Sequence, residues 1–363
     1  MRIGIDAREL CGRPTGVGRY LAGLLHQWAA ARTLAHEFVL YAPEPITLPL
    51  DARRFATRIV PGPPGAWWEQ AKVSRAAASD HLDVWFAPAY SAPLRMRTPI
   101  VVTIHDVSFV AHPEWFRIFE GARRRWLTRQ SASKARAVVT VSEFSKREVI
   151  EWLDVPDARI HVIPPGIRIQ DPEFRIQNSA PRVLFVGSIF NRRHVVDLIR
   201  SFAPLARAHA DASLDIVGDN RSYPREDLRR TIVAEGLDGQ VRWHEYVTDA
   251  ELYDLYLQAR TFAFLSEYEG LGLTPLEALA AGVPPVLLDT PVARESCGDA
   301  AVYVPVRDLA ATTRALELVL FDEATRSRIL AAAPAELAKY SWPRAARETL
   351  AVLEGAGSRH ASG

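Results

Sequence analysis

Ser266-Glu267-Tyr268-Glu269-Gly270-Leu271-Gly272-Leu273-Thr274-Pro275-Leu276-Glu277-Ala278-Leu279-Ala280 follows directly on the apolar run Thr261–Leu265. The run reads as a buried strand, and the alanine- and leucine-rich end reads as a helix. Thr274 is a candidate N-cap, Pro275 a first helical residue and Glu277 the third, which makes a capping box. A capping box accounts for Glu277 but not for Glu269, nor for the two glycines between them. Gly270 and Gly272 let backbone N–H groups face a ligand, and a carboxylate beside such a loop can accept hydrogen bonds from ligand hydroxyls.

The same strand, loop and helix recur on both sides of this stretch. Short β-branched runs stand at Arg2–Asp6, Phe38–Tyr41, Val84–Phe86, Ile100–Ile104, Ala137–Val141 and Ile160–Ile163. A second series stands at Arg182–Val186, Ser213–Val217, Val241–Trp243, Thr261–Leu265, Pro285–Leu288 and Ala301–Val304. Runs without strict alternation fit strands covered on both faces, as in parallel sheets. Leu21, Leu24, Leu25 and Trp28 make one helical stripe, and Thr248-x-x-Glu251 opens another helix with a capping box. The fold class is therefore α/β with right-handed crossovers. Proline and polar residues between positions 164 and 181 have linker composition. The expected organisation is a first domain over 1–175, a second over 176–340, a helix over 341–356 and a disordered tail over 357–363.

Composition agrees with two domains. The chain has 363 residues, more than one core of about 250–300 residues accommodates. Basic and acidic residues number 44 and 43, so no global nucleic-acid footprint exists and no nucleic-acid partner is expected. Only four of the 44 are Lys, and Arg suits bidentate phosphate contacts. Cys11 and Cys297 are too few for a disulfide framework or a zinc set, which points to a reducing cytoplasm. Leu271–Leu288 is the most apolar long window, and Glu277, Pro284 and Pro285 exclude it as a membrane span.

Three further segments carry chemistry. Gly16, Gly18 and their neighbours follow the first strand and open the Leu21–Trp28 helix, whose N-terminus suits an anion. His105 and Asp106 end a buried-type strand, where ligands bind in open α/β sheets. Gly187, Arg192 and Arg193 stand between the first strand of the second series and its helix, and two adjacent guanidinium groups suit a diphosphate. No Asp-x-Asp motif stands at a strand end in these segments, so no metal is expected. The stretch Arg117–Arg136 interleaves seven basic residues with Trp115, Phe116, Phe119 and Trp126. It could rest on an anionic membrane surface or form a solvated helix face.

Glu269 and Glu277, separated by seven residues within Glu-Gly-Leu-Gly-Leu-Thr-Pro-Leu-Glu, resemble the signature of retaining GT-B glycosyltransferases of the group 1 (family four) class. The resemblance spans almost the whole chain. Gly16-Val17-Gly18, Trp68-Glu69-Gln70, Thr103-Ile104-His105-Asp106, Ser142-Glu143-Phe144-Ser145 and Gly298-Asp299-Ala300-Ala301 are similar to its landmarks, most of all those of bacterial mannosyltransferases. It implies two Rossmann-like domains facing across a cleft, with the C-terminal helix crossing back to the first.

Roles follow from the resemblance. Catalysis would fall to His105, Arg192, Arg193 and Glu269. The donor would meet Gly16, Gly18, Gly187, Arg192, Arg193, Glu269, Gly270, Leu271, Gly272 and Glu277, and the acceptor Gly16, Tyr90 and Asp106. The expected reaction moves a hexosyl unit, first of all mannose from GDP-mannose, to a saccharide or lipid-linked saccharide in cell-surface polysaccharide assembly. A UDP-hexose or a GDP-deoxyhexose such as GDP-rhamnose is the alternative donor. A nucleotide-sugar epimerase and a non-catalytic GT-B binding protein are the rival functions. The nucleotide sugar is a co-substrate, so no cofactor is expected. The expected place is the cytoplasm, at the inner face of the plasma membrane. Arg193 stands where the family usually has Lys, and His194 where it often has Asn.

Overall fold

Strands covered by helices on both faces keep no polar side, and here their apolar runs assemble into two all-parallel sheets. The computed structural model describes residues 1–12, 16–31, 34–167 and 180–358. Among these the chain divides into two units, Met1–Gly166 with Tyr340–Gly363, and Ile167–Lys339. Residues 168–179, most of the expected linker, lie outside the described residues.

The first unit holds β1 (Arg2–Asp6), β2 (Glu37–Ala42), β3 (Phe55–Ile59), β4 (Val84–Ala87), β5 (Ile100–Thr103), β6 (Ala137–Thr140) and β7 (Ile160–Val162). Their order is β3-β2-β1-β4-β5-β6-β7. The second holds β8 (Arg182–Val186), β9 (Ser213–Val217), β10 (Val241–His244), β11 (Thr261–Phe264), β12 (Pro285–Leu288) and β13 (Val302–Val304), ordered β10-β9-β8-β11-β12-β13. In both sheets the order reverses beside the first strand of the unit. That reversal opens a crevice at the carboxyl ends of β1 and β4, and of β8 and β11.

Each of the twelve expected strands is present with ends within one residue of its apolar run. The strand missing from the expectation is β3. It is an edge strand paired only with β2, and its three central residues carry little burial. Ala56, Thr57 and Arg58 give it no apolar run to mark it in the sequence.

The helix Trp342–Ser358 belongs to the first unit. Gly357 and Ser358 are helical, so the helix runs past the expected end at 356, and 359–363 lie outside the described residues. Its first residue explains two glycines. A Cβ on Gly166 would lie 2.3 Å from the Trp342 backbone nitrogen, and one on Gly23 would lie 2.4 Å from the Trp342 ring. Deeper along the helix, the Trp28 indole N–H donates to the Ala346 carbonyl at 2.9 Å. Gly166→Ala should destabilise the first unit by about 1–3 kcal/mol through overpacking against backbone that cannot swing aside. A urea melt checks this, and an unchanged midpoint would contradict the close approach.

Candidate functional site

In the second unit the site begins where β8 ends. Gly187 has φ of 150°, and a Cβ there would meet the Arg193 guanidinium at 2.7 Å. Glycine therefore lets Arg193 fold back over the strand end. Arg193 Nη1 donates to the Ser188 carbonyl at 2.8 Å, and its Nε donates to Glu269 Oε1 at 2.7 Å. Ser266 Oγ donates to the same carboxylate oxygen at 2.8 Å. Burial alone would raise the Glu269 carboxyl, but the Arg193 and Arg192 charges and these two hydrogen bonds hold it below the usual carboxylate range. Glu269 is an anion at neutral pH. Arg192 lies over the Phe190 ring at 4.4 Å, and its carbonyl accepts from the Glu267 N–H at 2.9 Å.

The helix Leu273–Ala280 starts beside this pair. Its N-cap is Gly272, in the left-handed region at φ 83°, and no side chain caps it. The expected Thr274–Glu277 capping box is thus corrected. Thr274 and Pro275 already lie inside the helix, because Gly272 turns the chain two residues earlier. Glu277 is instead within reach of the Tyr256 hydroxyl, which donates at 3.5 Å. The Thr248–Glu251 capping box is present as read from sequence.

A pocket opens here, lined by Ser266, Glu269, Leu271, Gly272, Leu288 and Thr290 among others. Its far wall comes from the end of β12 and the helix Pro291–Cys297. Sequence reasoning missed that wall. Thr290-Pro291 carried a helix-start signal, and Thr290 does accept from the Ala293 N–H at 3.3 Å.

His105, Tyr90 and Asp106 come together in the first unit, beyond the end of β5. Nε2 of His105 faces the Pro88 carbonyl at 2.8 Å, so it carries the proton and Nδ1 is left as an acceptor. Burial lowers the imidazole below the ordinary histidine range, so His105 is neutral. Tyr20 packs edge-on against the ring at 4.9 Å and Tyr90 at 5.6 Å. Tyr90 is left-handed, and its hydroxyl donates to Asp106 Oδ2 at 2.8 Å. Gly16 and Gly18 lie in the first turn of the helix Gly16–Ala30, and residues 13–15 of their loop lie outside the described residues.

A second charged cluster sits at the end of β1. Arg8 bridges Asp6 at 2.9 Å and Glu69 at 2.5 Å, and Ser91 donates to both Glu69 oxygens at 2.9 Å. Burial pushes Asp6 up to about 6 against the pull of Arg8. The Trp68-Glu69-Gln70 landmark is therefore a buried tie among three segments of this unit. Gln70 adds bonds to the Ala92 carbonyl and the Leu94 N–H.

The basic stretch Arg117–Arg136 is not one surface. Arg124 lies over the Tyr90 and Phe109 rings at 4.8 and 5.0 Å, and Arg125 donates to the Phe109 carbonyl. On the helix Ile118–Lys134, Phe119 is 91% and Trp126 57% exposed. Among the described residues no helix is long and apolar enough to cross a membrane.

Residues 14–171 match the family described as Glycosyltransferase Family 4, and residues 167–336 match Glycosyl transferases group 1. The chain is 27% identical over 292 residues to O-antigen chain mannosyltransferase B of Escherichia coli, covering 76% of this chain and 75% of that one. It is 26% identical to the O-antigen chain mannosyltransferase RfbU of Salmonella typhimurium, over 56% of each. Among solved structures, Anabaena HepE in complex with UDP and glucose superposes with a TM-score of 0.76 at 17% identity, covering 98% of this chain and all of that one. WaaG, a glycosyltransferase involved in lipopolysaccharide biosynthesis, gives 0.74 at 17% identity with the same coverage. Two Rossmann-like units and two family matches that together run from residue 14 to residue 336 make this chain a member of the group 1 GT-B glycosyltransferases.

Proposed function

We propose that this glycosyltransferase moves a mannosyl unit from GDP-mannose, with retention of anomeric configuration, to a saccharide carried on a lipid during surface polysaccharide assembly. The observation that carries the reading is Arg193, fixed against Glu269 beside the Gly272 helix N-terminus and the cavity. When the anomeric carbon parts from the diphosphate, negative charge grows on the leaving group. Arg192, Arg193 and the positive end of the Leu273–Ala280 helix meet that charge. Glu269, held ionised, accepts hydroxyls of the sugar, and Glu277 takes the ribose hydroxyls. His105 is neutral with Nδ1 as acceptor, which suits a sugar hydroxyl better than a phosphate. The mannosyltransferases among the relatives support mannose over the UDP-hexose alternative. Retention follows from same-face attack with the diphosphate as base.

A panel of GDP-mannose, UDP-glucose and GDP-rhamnose tests the donor by thermal shift, since ligand at about 100 times its Kd adds roughly 2.7 kcal/mol of stability. GDP-mannose should give the largest shift, and a larger shift with either rival would displace it. Arg192→Ala and Arg193→Ala should each lower turnover by about 10²–10³-fold, or about 2.7–4 kcal/mol of barrier. Normal turnover in both would remove the leaving-group role.

Two guanidinium groups can neutralise a diphosphate, so the reaction should proceed without a metal ion. Activity abolished by EDTA and restored by magnesium would refute this. Acceptor access is proposed to use the cytoplasmic face of the membrane. On the Ile118–Lys134 helix, Phe119, Arg123 and Trp126 fall at i, i+4 and i+7, an apolar stripe with a cation at its centre, as an anionic lipid surface requires. Flotation with anionic vesicles should occur at low salt and be lost in the Phe119→Ser, Trp126→Ser double variant. Absence of flotation in the unmodified protein would end the idea.

A further inference from the structure

His194 occupies a position that the leaving-group reading does not use. It joins the Arg192–Arg193 turn to the helix Val195–Ala208, in the left-handed region at φ 46°. Its side chain spans two elements. Nδ1 faces Asp197 Oδ2 at 3.2 Å on that helix, and Nε2 faces Glu267 Oε1 at 2.5 Å in the loop after β11. Both partners are carboxylate oxygens, which only accept. A neutral imidazole has one N–H, so one nitrogen lone pair would face a carboxylate. Only the imidazolium satisfies both contacts at once.

The contact matters because of what its ends carry. Glu267 lies in the loop that presents Glu269, and its N–H donates to the Arg192 carbonyl at 2.9 Å. Arg192 and Arg193 immediately precede His194. The imidazolium thus closes a ring between the diphosphate-binding turn and the hydroxyl-binding loop. Other charges surround it. Arg200 lies 3.5 Å from Asp197, and Arg307 lies 4.0 Å from Glu267. Glu226 faces the turn through Asn191 at 3.1 Å. Burial pulls the imidazolium down, but hydrogen bonds to Asp197 and Glu267 and their charges raise it above the ordinary histidine range.

We propose that His194 is a positioning residue that locks the Arg192–Arg193 turn to the Ser266–Gly272 loop, and that nucleotide-sugar affinity follows its charge. The proposal rests on the reading of this pocket as the nucleotide-sugar site. The charge is complete below the ordinary histidine range and is lost as pH rises through the raised value, so binding weakens in that direction. The diphosphate of a nucleotide sugar does not titrate in this window and contributes no slope of its own.

The test is calorimetric titration of GDP-mannose and of UDP-glucose, between about pH 6 and pH 9, into the intact chain and into His194→Asn. Asparagine tolerates the left-handed backbone and carries no charge. For the unmodified chain, Kd of the donor that binds should rise by at least about fivefold across the range, and the variant should be flat. Melting temperatures of both proteins over the same range form the second readout, and their difference should shrink as pH rises. A shrinking stability difference with parallel binding profiles would make His194 structural only and overturn the proposal while leaving the function reading intact. No binding of either probe to either protein at any pH would overturn both.

Discussion

The Arg193 guanidinium is tied to the Ser188 carbonyl and to the Glu269 carboxylate, one in the turn after β8 and the other in the turn after β11. These two strands are neighbours in the sheet but far apart in sequence. A charge-assisted bond of this kind is worth more than a neutral one, and more still where water is excluded. Much else in the unit is arranged around it. Gly187 must lack a side chain so that Arg193 can fold back. Arg193 and Arg192 keep Glu269 ionised despite its burial, and the Ser266 hydroxyl adds a hydrogen bond to the same oxygen. Gly272 must turn left-handed so that the helix points its positive end at the same place. An anion held beside Arg193 and the Gly272 helix start would find its neighbours already oriented, which is the condition for electrostatic stabilisation.

The first unit solves a similar problem with a different partner set. Arg8 is shared between Asp6 and Glu69, all three at the end of β1 and little exposed to water. Two carboxylates against one cation leave a surplus negative charge, and burial answers by pushing Asp6 up to about 6. The result fixes the segment after β1 against the π-helical turn Trp68–Val73 and the segment after β4. His105, a short way along the same sheet edge, is made neutral by the same physics.

Much of this was legible in the residues. Most strands announced themselves because buried parallel strands are largely apolar, and β3 did not because Ala56, Thr57 and Arg58 give its middle neither an apolar run nor burial. Arg192, Arg193 and Glu269 stood out in the sequence because two guanidinium groups and a carboxylate lie beside glycine turns at strand ends. Their direct pairing was not legible, since 76 residues separate Arg193 from Glu269. The Thr274–Glu277 pattern misled for a local reason: a capping box and a glycine cap compete for the same helix start, and only the Gly272 backbone angle chooses. The run of arginines in Arg117–Arg136 divides for a geometric reason. Helical rotation turns Arg124 and Arg125 onto aromatic and carbonyl partners and leaves Phe119 and Trp126 outside.

The sequence by itself determined the α/β class, the two series of strands, the glycine turns and the charged residue types beside them. Those properties are local, carried by side-chain periodicity of 2 and 3.6 residues and by the special backbone freedom of glycine. Tertiary structure alone decided the strand order, the reversal beside β1 and β8 that opens each crevice, and the partners of every buried charge. It also decided that His194 bridges Asp197 and Glu267. Such pairings join residues that distant segments bring together, and electrostatic distance is fixed only when the sheet has formed.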